Sequence, residues 1–194
     1  MRHLLIIVAL VFANTVWSGD YEDGLAAYAR KDYATAVTKF RSAAQQGVAE
    51  AQTNLGFMYS NGQGVGQDYT EAVRWYQLAA QQGIAEAQYN LGVMYDNGRG
   101  VAQDYKEAVR WYQLAAKQGN PNAQHNLGGM YSNGQGIIQD FVRAHMWYNI
   151  AAVDGDKDSV KNRDIVARKM TAQQIEQAQR MARECMASNF KKCD

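Results

Sequence analysis

Residues 49–84 read AEAQTNLGFMYSNGQGVGQDYTEAVRWYQLAAQQGI, and residues 85–120 read AEAQYNLGVMYDNGRGVAQDYKEAVRWYQLAAKQGN. The two segments are identical at 28 of 36 positions. A third copy opens at Pro121-Asn122-Ala123-Gln124 and runs to Asp156 in the same register. A period in the mid-thirties marks a helical repeat array, in which each unit is too small to bury its own apolar face and stacks on its neighbours.

Each copy reads as two helices. In the first, from about Ala49 to Ser60, the residues Ala51, Leu55, Met58 and Tyr59 recur at helical spacing and define one face. Asn61-Gly62 ends it, because both residues tolerate the left-handed cap conformation. A glycine-rich loop leads to Asp68, which caps the second helix. Glu71 three residues on completes a reciprocal capping pattern that Asp104 and Glu107 repeat, while Arg143 takes the partner's place after Asp140. The second helix carries Ala72, Trp75, Tyr76 and Ala79 on one stripe, with Arg74 and Gln77 outside it. Gly56, Gly92 and Gly128 fall inside the first helices, where glycine costs about 1 kcal/mol against alanine. Their recurrence predicts a neighbouring helix passing close by, with Ala72, Ala108 and Ala144 facing them.

The flanks differ. Arg2 and His3 precede an unbroken apolar run, Leu4 to Ala13, followed by Asn14, Ser18 and Gly19. A basic start, about ten apolar residues and a small-residue exit describe a secretory signal peptide, residues 1–18, cut between Asn14 and Asp20. The run is too short to span a bilayer comfortably, and no later stretch is apolar enough, so no integral membrane segment is expected after cleavage. Removing residues 1–18 takes away one basic residue and no acidic one, leaving a formally neutral chain. That balance gives no sign of a nucleic-acid partner. Beyond Asp156 the pattern decays. Residues 157–194 read as capping helices and a tail: a helix to about 169, then Thr171 and Gln174 opening a last helix to about Ser188. Ile175, Ala178, Gln179, Met181, Ala182 and Cys185 are expected to cover the end of the core.

The run AQ-x-x-LG-x-MY-x-NG-x-GV-x-QDY-x-EAVRWY-x-x-AA-x-QG resembles the Sel1-like repeat, a variant of the tetratricopeptide repeat, over residues 49–84, 85–120 and 121–156. Residues 19–48 look instead like a plain tetratricopeptide unit, with Gly24, Ala27, Ala36, Phe40 and Ala43 at that family's packing positions. The resemblance implies an all-α fold, an α/α right-handed superhelical solenoid used as a scaffold for protein interactions. By analogy with tetratricopeptide proteins, the first helices line the inner groove. The positions there are Glu50, Thr53, Asn54, Phe57 and Ser60 with their repeats, among them Glu86, Tyr89, Asp96 and His125. Asn54, Asn90 and Asn126 stand at one register. There an amide can hydrogen-bond a peptide backbone or hold the stack by bonding the neighbouring helix's carbonyls. Tyr89, Val93 and Asp96, against His125, Gly129 and Ser132, vary in register and would set specificity.

Catalytic and metal chemistry find little footing. Cys185 and Cys193 can pair in an oxidising compartment, remain free or bridge two molecules. Neither has a histidine at ligand spacing, so no metal site is expected. His125 and His145 read as packing or surface residues. Gly-Gln-Gly-Val lacks a following Lys-Ser or Lys-Thr and recurs as a helix connector, so no nucleotide cofactor is implied. Some cysteine-rich exported relatives are described as β-lactamases or penicillin binders, and Ser188-Asn189-Phe190-Lys191 fits Ser-x-x-Lys. The companion Ser-Asp-Asn and Lys-Thr-Gly motifs are missing, as are cysteine pairs in each repeat. The expectation is therefore an exported bacterial adaptor, periplasmic or secreted, that binds a protein partner through its concave surface. A cell-wall hydrolase and a structural envelope component are the alternatives.

Overall fold

The computed structural model describes residues 19–153 and 155–193; the run read as a signal peptide lies outside them. Among the described residues every regular element is a helix. These are α1 over residues 19–29, α2 Tyr33–Gln45, α3 Ala49–Asn61, α4 Tyr69–Gln81 and α5 Ala85–Asn97, then α6 Tyr105–Ala116, α7 Pro121–Asn133, α8 Phe141–Ala151, α9 Lys157–Ala167 and α10 Ala172–Ala187. The chain forms two compact units that divide between Ala87 and Gln88, inside α5.

In the first unit α2 packs on α3 and α3 on α4. Its core gathers Ala27, Ala36, Phe40, Ala43, Leu55, Met58 and Trp75. The mid-helix glycine is explained by a ring: a Cβ on Gly56 would lie 2.8 Å from Cδ1 and Cε1 of the fully buried Tyr76, and 3.2 Å from the Ala72 carbonyl. The tyrosine is thus the nearer obstacle, and the alanine expected opposite the glycine contributes its carbonyl. Gly24 repeats the arrangement against Phe40. Asp68 accepts from the backbone N–H groups of Thr70 and Glu71, at 2.9 and 3.0 Å. Glu71 does not complete the expected reciprocal pattern. It accepts from Arg74 at 3.1 Å instead, because a charge-assisted bond outcompetes one to a neutral N–H, and the same guanidinium lies over the Trp75 ring. Gln52 clamps adjacent hairpins: buried, it donates to the Ala44 carbonyl at the end of α2 and accepts from Gln82 at 2.8 Å.

The second unit repeats these devices. Gly92 and Gly128 lie against Tyr112 and Tyr148. Glu107 turns to Arg110, and Arg143 both donates its N–H to Asp140 and pairs with that carboxylate at 2.8 Å. Gln124 donates to the Ala116 carbonyl, and Gln118 to Gln88. Helices α9 and α10 pack on α8 and complete a core that includes Leu127, Met130, Met146, Trp147, Val166 and Cys185. Thr171 and Gln174 form a full capping box. Along α10, Ala178, Ala182 and Cys185 are buried, and Ile175 and Met181 are half-buried. Gln179, expected among them, is exposed, since one step past Ala178 turns the helix by about 100°. Asn189 and Phe190 take left-handed backbone angles, φ 52° and 62°, and reverse the chain so that Cys193 closes a disulfide with Cys185. The Phe190 ring lies over Gly119.

In each unit the glycine-rich loop touches main chain. A Cβ on Gly64 (φ +70°) would collide with the carbonyl of Tyr33, and one on Gly136 (φ +69°) with that of Tyr105. Positive φ and the absence of a side chain are both needed for that approach.

Candidate functional site

The three first-helix differences between the near-identical copies, Thr53/Tyr89, Phe57/Val93 and Ser60/Asp96, are spaced i, i+4, i+7. That spacing places them on one helical face. The packing positions around them are invariant.

In the first unit Phe57 of this face lines a cavity of about 280 Å³ together with Leu25, Tyr28, Phe40, Asn54 and Glu86. Phe57 and Leu25 are exposed there, at 39% and 37% of their surface. Asn54 is half-buried, and its amide near Tyr21 opposes the rise in that phenol's pKa caused by burial and by the Glu50 carboxylate. Glu50 and Glu86 are exposed in the first turns of α3 and α5. Thr53 does not join the groove. It is buried and its hydroxyl bonds back to the Ala49 carbonyl, as a short β-hydroxy side chain in mid-helix readily does.

In the second unit Tyr89, His125 and Asn126 line a cavity of about 400 Å³ together with Asn122, Asp156 and Asp158. His125 and Asn126 also line a smaller one of about 160 Å³ with Asp96 and Gly129. The structure thus brings together Tyr89, Asp96, His125 and Asn126. Asn90, half-buried on α5, lines neither of these two cavities. The Tyr112 hydroxyl donates to Asp96 at 3.1 Å, and the neighbouring Asn126 amide favours its ionised form. Burial pushes the Asp96 carboxyl above the usual carboxylate range, partly offset by that bond. It likewise raises Tyr89, and raises Tyr112 strongly.

His125 meets a serine and an aspartate. Its Nδ1 lies 2.7 Å from Ser159 Oγ and 3.6 Å from Asp156 Oδ2, and its ring stands edge-on to Tyr148. This is not a catalytic relay. Hydroxyl and carboxylate share one ring nitrogen, whereas a triad places them on opposite nitrogens. Ser159 is also fully buried, and its N–H is capped by Asp156. The cluster pins the start of α9 to α7. Ser188 is equally committed: its hydroxyl donates to the Cys185 carbonyl at 2.7 Å and accepts from the Lys192 N–H at 2.9 Å, closing the end of α10. Sequence reasoning missed Gln52, Gln124 and Ser159. Their signal was weak, since Gln52, Gln88 and Gln124 recur among many invariant positions and Ser159 lies 34 residues from its histidine.

Helix hairpins that, within each unit, are joined by a buried glutamine and repeat the same glycine-to-ring packing define an α/α repeat protein. Solved structures similar to it include a protective antigen present in uropathogenic Escherichia coli strains that displays an SLR fold. It is 33% identical with a TM-score of 0.74, over 80% of this chain and 34% of that one. Another is a Sel1 repeat protein from Oxalobacter formigenes, 40% identical with a TM-score of 0.60, over 66% of this chain and 96% of that one. The chain spans about a third of the Escherichia coli antigen. No curated protein matches it. The Sel1 repeat model matches residues 18–48, 49–84, 85–120 and 121–156, and the chain belongs to the Sel1 repeat family. The first match covers the stretch read above as a plain tetratricopeptide unit. Members of this family are typically scaffolds for protein–protein interaction.

Proposed function

We propose that the chain is an exported bacterial adaptor that holds a segment of another protein against the variable face of its first helices. The observation that carries this is the distribution of change between copies. Between residues 49–84 and 85–120 the residues that form the apolar stripe, the Asp caps and the glutamine clamp are the same, while the first-helix differences share one helical face, on which Phe57, Tyr89 and Asp96 line open cavities. Tyr89 offers a half-buried aromatic surface and Asn126 an amide with donor and acceptor, a combination suited to a peptide. The basic start and apolar run at residues 1–13 support export, and the Cys185–Cys193 disulfide accords with an oxidising compartment.

The test is affinity capture from cell-envelope extract with the wild-type chain and with Tyr89→Ala/Asn126→Ala. The captured partner is expected to be lost from the double variant while its circular dichroism is unchanged. An identical captured set refutes the groove. N-terminal sequencing of the periplasmic protein is expected to start between Asn14 and Asp20; a chain retaining residues 1–18 in the cytosol refutes export.

A further inference from the structure

Helix α7 carries two adjacent glycines, and packing requires only the first. A Cβ on Gly128 would lie 2.9 Å from the Tyr148 ring. One on Gly129 would meet only the Tyr148 hydroxyl, at 3.5 Å, an ordinary contact. Glycine inside a helix is destabilising, so a glycine with room beside it calls for a reason outside the packing. In register, position 129 answers to Phe57 and Val93. A side chain present in both preceding copies is missing in the third. In its place is the cavity of about 160 Å³ lined by Asp96, His125, Asn126 and Gly129.

Asp96 is the second departure, because serine stands at its register in both neighbouring copies, at Ser60 and Ser132. The carboxylate is half-buried at the wall of this cavity. It holds the Tyr112 hydroxyl and, among the described residues, pairs with no basic side chain. A partly desolvated carboxylate with a neutral partner gains from an arriving cation more than an exposed one does. The wider cavity shares His125 and Asn126 and adds Asp156 and Asp158, and among the described residues no lysine or arginine lines either space.

We infer that the hollow left by Gly129 receives a lysine or arginine side chain from the bound protein segment, its cationic head against Asp96 and its main chain within reach of Asn126. This rests on the groove reading above and specifies its partner: an extended segment with a basic residue. The space opened at one register and the charge placed at another converge on one cavity, and the copy at residues 49–84, with Phe57 and Ser60 at these registers, carries neither.

The full chain is to be applied to arrays of nine-residue peptides whose central residue is arginine, lysine, citrulline, leucine or glutamate, with the other positions randomised. Arginine and lysine pools are expected to bind at least tenfold more tightly than citrulline, which keeps the shape of arginine without its charge. Asp96→Ser and Gly129→Val each install a residue that another copy already carries at that register. Each is expected to weaken the basic pools at least fivefold with the thermal midpoint unchanged or raised. Citrulline binding as well as arginine, or both variants binding like the wild type, overturns the inference. If all pools bind alike and Tyr89→Ala/Asn126→Ala abolishes binding, the groove stands and its cation preference falls. If no pool binds, both fall.

Discussion

Alanine placed at Gly128 or at Gly129 adds the same methyl group to the same helix, and the surroundings decide the sign. Either substitution gains about 1 kcal/mol of intrinsic helix stability. At position 129 the new Cβ meets the Tyr148 hydroxyl at 3.5 Å, so the gain survives. Gly129→Ala is therefore expected to stabilise the chain by about 1 kcal/mol, raising the midpoint by about 2–4 °C for a protein of this size. At position 128 the Cβ lies 2.9, 3.0 and 3.1 Å from three carbons of the Tyr148 ring. That ring is buried and braced by His125, so it has to shift by several tenths of an ångström within a packed core. Overpacking of this kind costs about 1–3 kcal/mol. Gly128→Ala is then expected to range from neutral to about 2 kcal/mol destabilising, leaving the neighbours about 1–3 kcal/mol apart. Urea unfolding followed at 222 nm, with both variants and the wild type at matched concentration, measures the difference. Two variants shifted in the same direction by the same amount would refute the claim that the tyrosine ring, rather than helix propensity, holds glycine at this register.

Three further expectations follow from the packing. His145 is buried, and burial together with Arg163 lowers its pKa, so the folded chain keeps it neutral. The unfolded chain takes up the proton as pH falls through about 6.5, so stability drops below that pH. His145→Val, the residue at the equivalent positions 73 and 109, is expected to flatten the midpoint between pH 7 and 5; an unchanged slope refutes it. Reducing the Cys185–Cys193 disulfide, at a sequence separation of 8, is expected to cost about 2.5 kcal/mol by the chain-entropy relation, seen as a lower thermal midpoint in thiol reductant. A Cys185→Ala/Cys193→Ala double variant should then be indifferent to reductant. Gln52→Leu removes one of the hydrogen bonds to the Ala44 carbonyl, which keeps that from the Gly47 N–H, and is expected to cost about 0.5–1.5 kcal/mol in urea unfolding, whereas Gln81→Leu on the exposed side of α4 should cost little.

The periodicity made the fold legible, because the apolar stripe at Ala72, Trp75, Tyr76 and Ala79 and the turn chemistry at Asn61-Gly62 and Asp68 act over one or two helical turns. The same locality made the capping box at Thr171 and Gln174 readable. Groups whose partners lie on another helix were harder. Gly56 announced a close approach, but a spacing rule cannot tell whether a ring or a carbonyl comes closest. Glu71 had two local options, and the guanidinium three residues on decided between them. Thr53 stood at a groove register and turned inward to its own helix. The pairing of Cys185 with Cys193 was open because the reversal uses left-handed Asn189 and Phe190, neither a glycine. At the site, the variable register exposed Tyr89, Asp96 and His125 in the sequence. The cavity beside Gly129 emerged only once the room around each glycine was known.

The contact between the glycine-rich loop and the backbone carbonyl of Tyr33 or Tyr105 bears on how such a chain lengthens. Main-chain atoms look alike in every hairpin, so the seam does not depend on which side chains its predecessor carries. A duplicated segment finds a compatible seat on arrival, without matching mutations on both sides. Two copies that share 28 of 36 residues are what recent tandem duplication leaves behind. Later divergence is then free to concentrate on surfaces that no seam occupies.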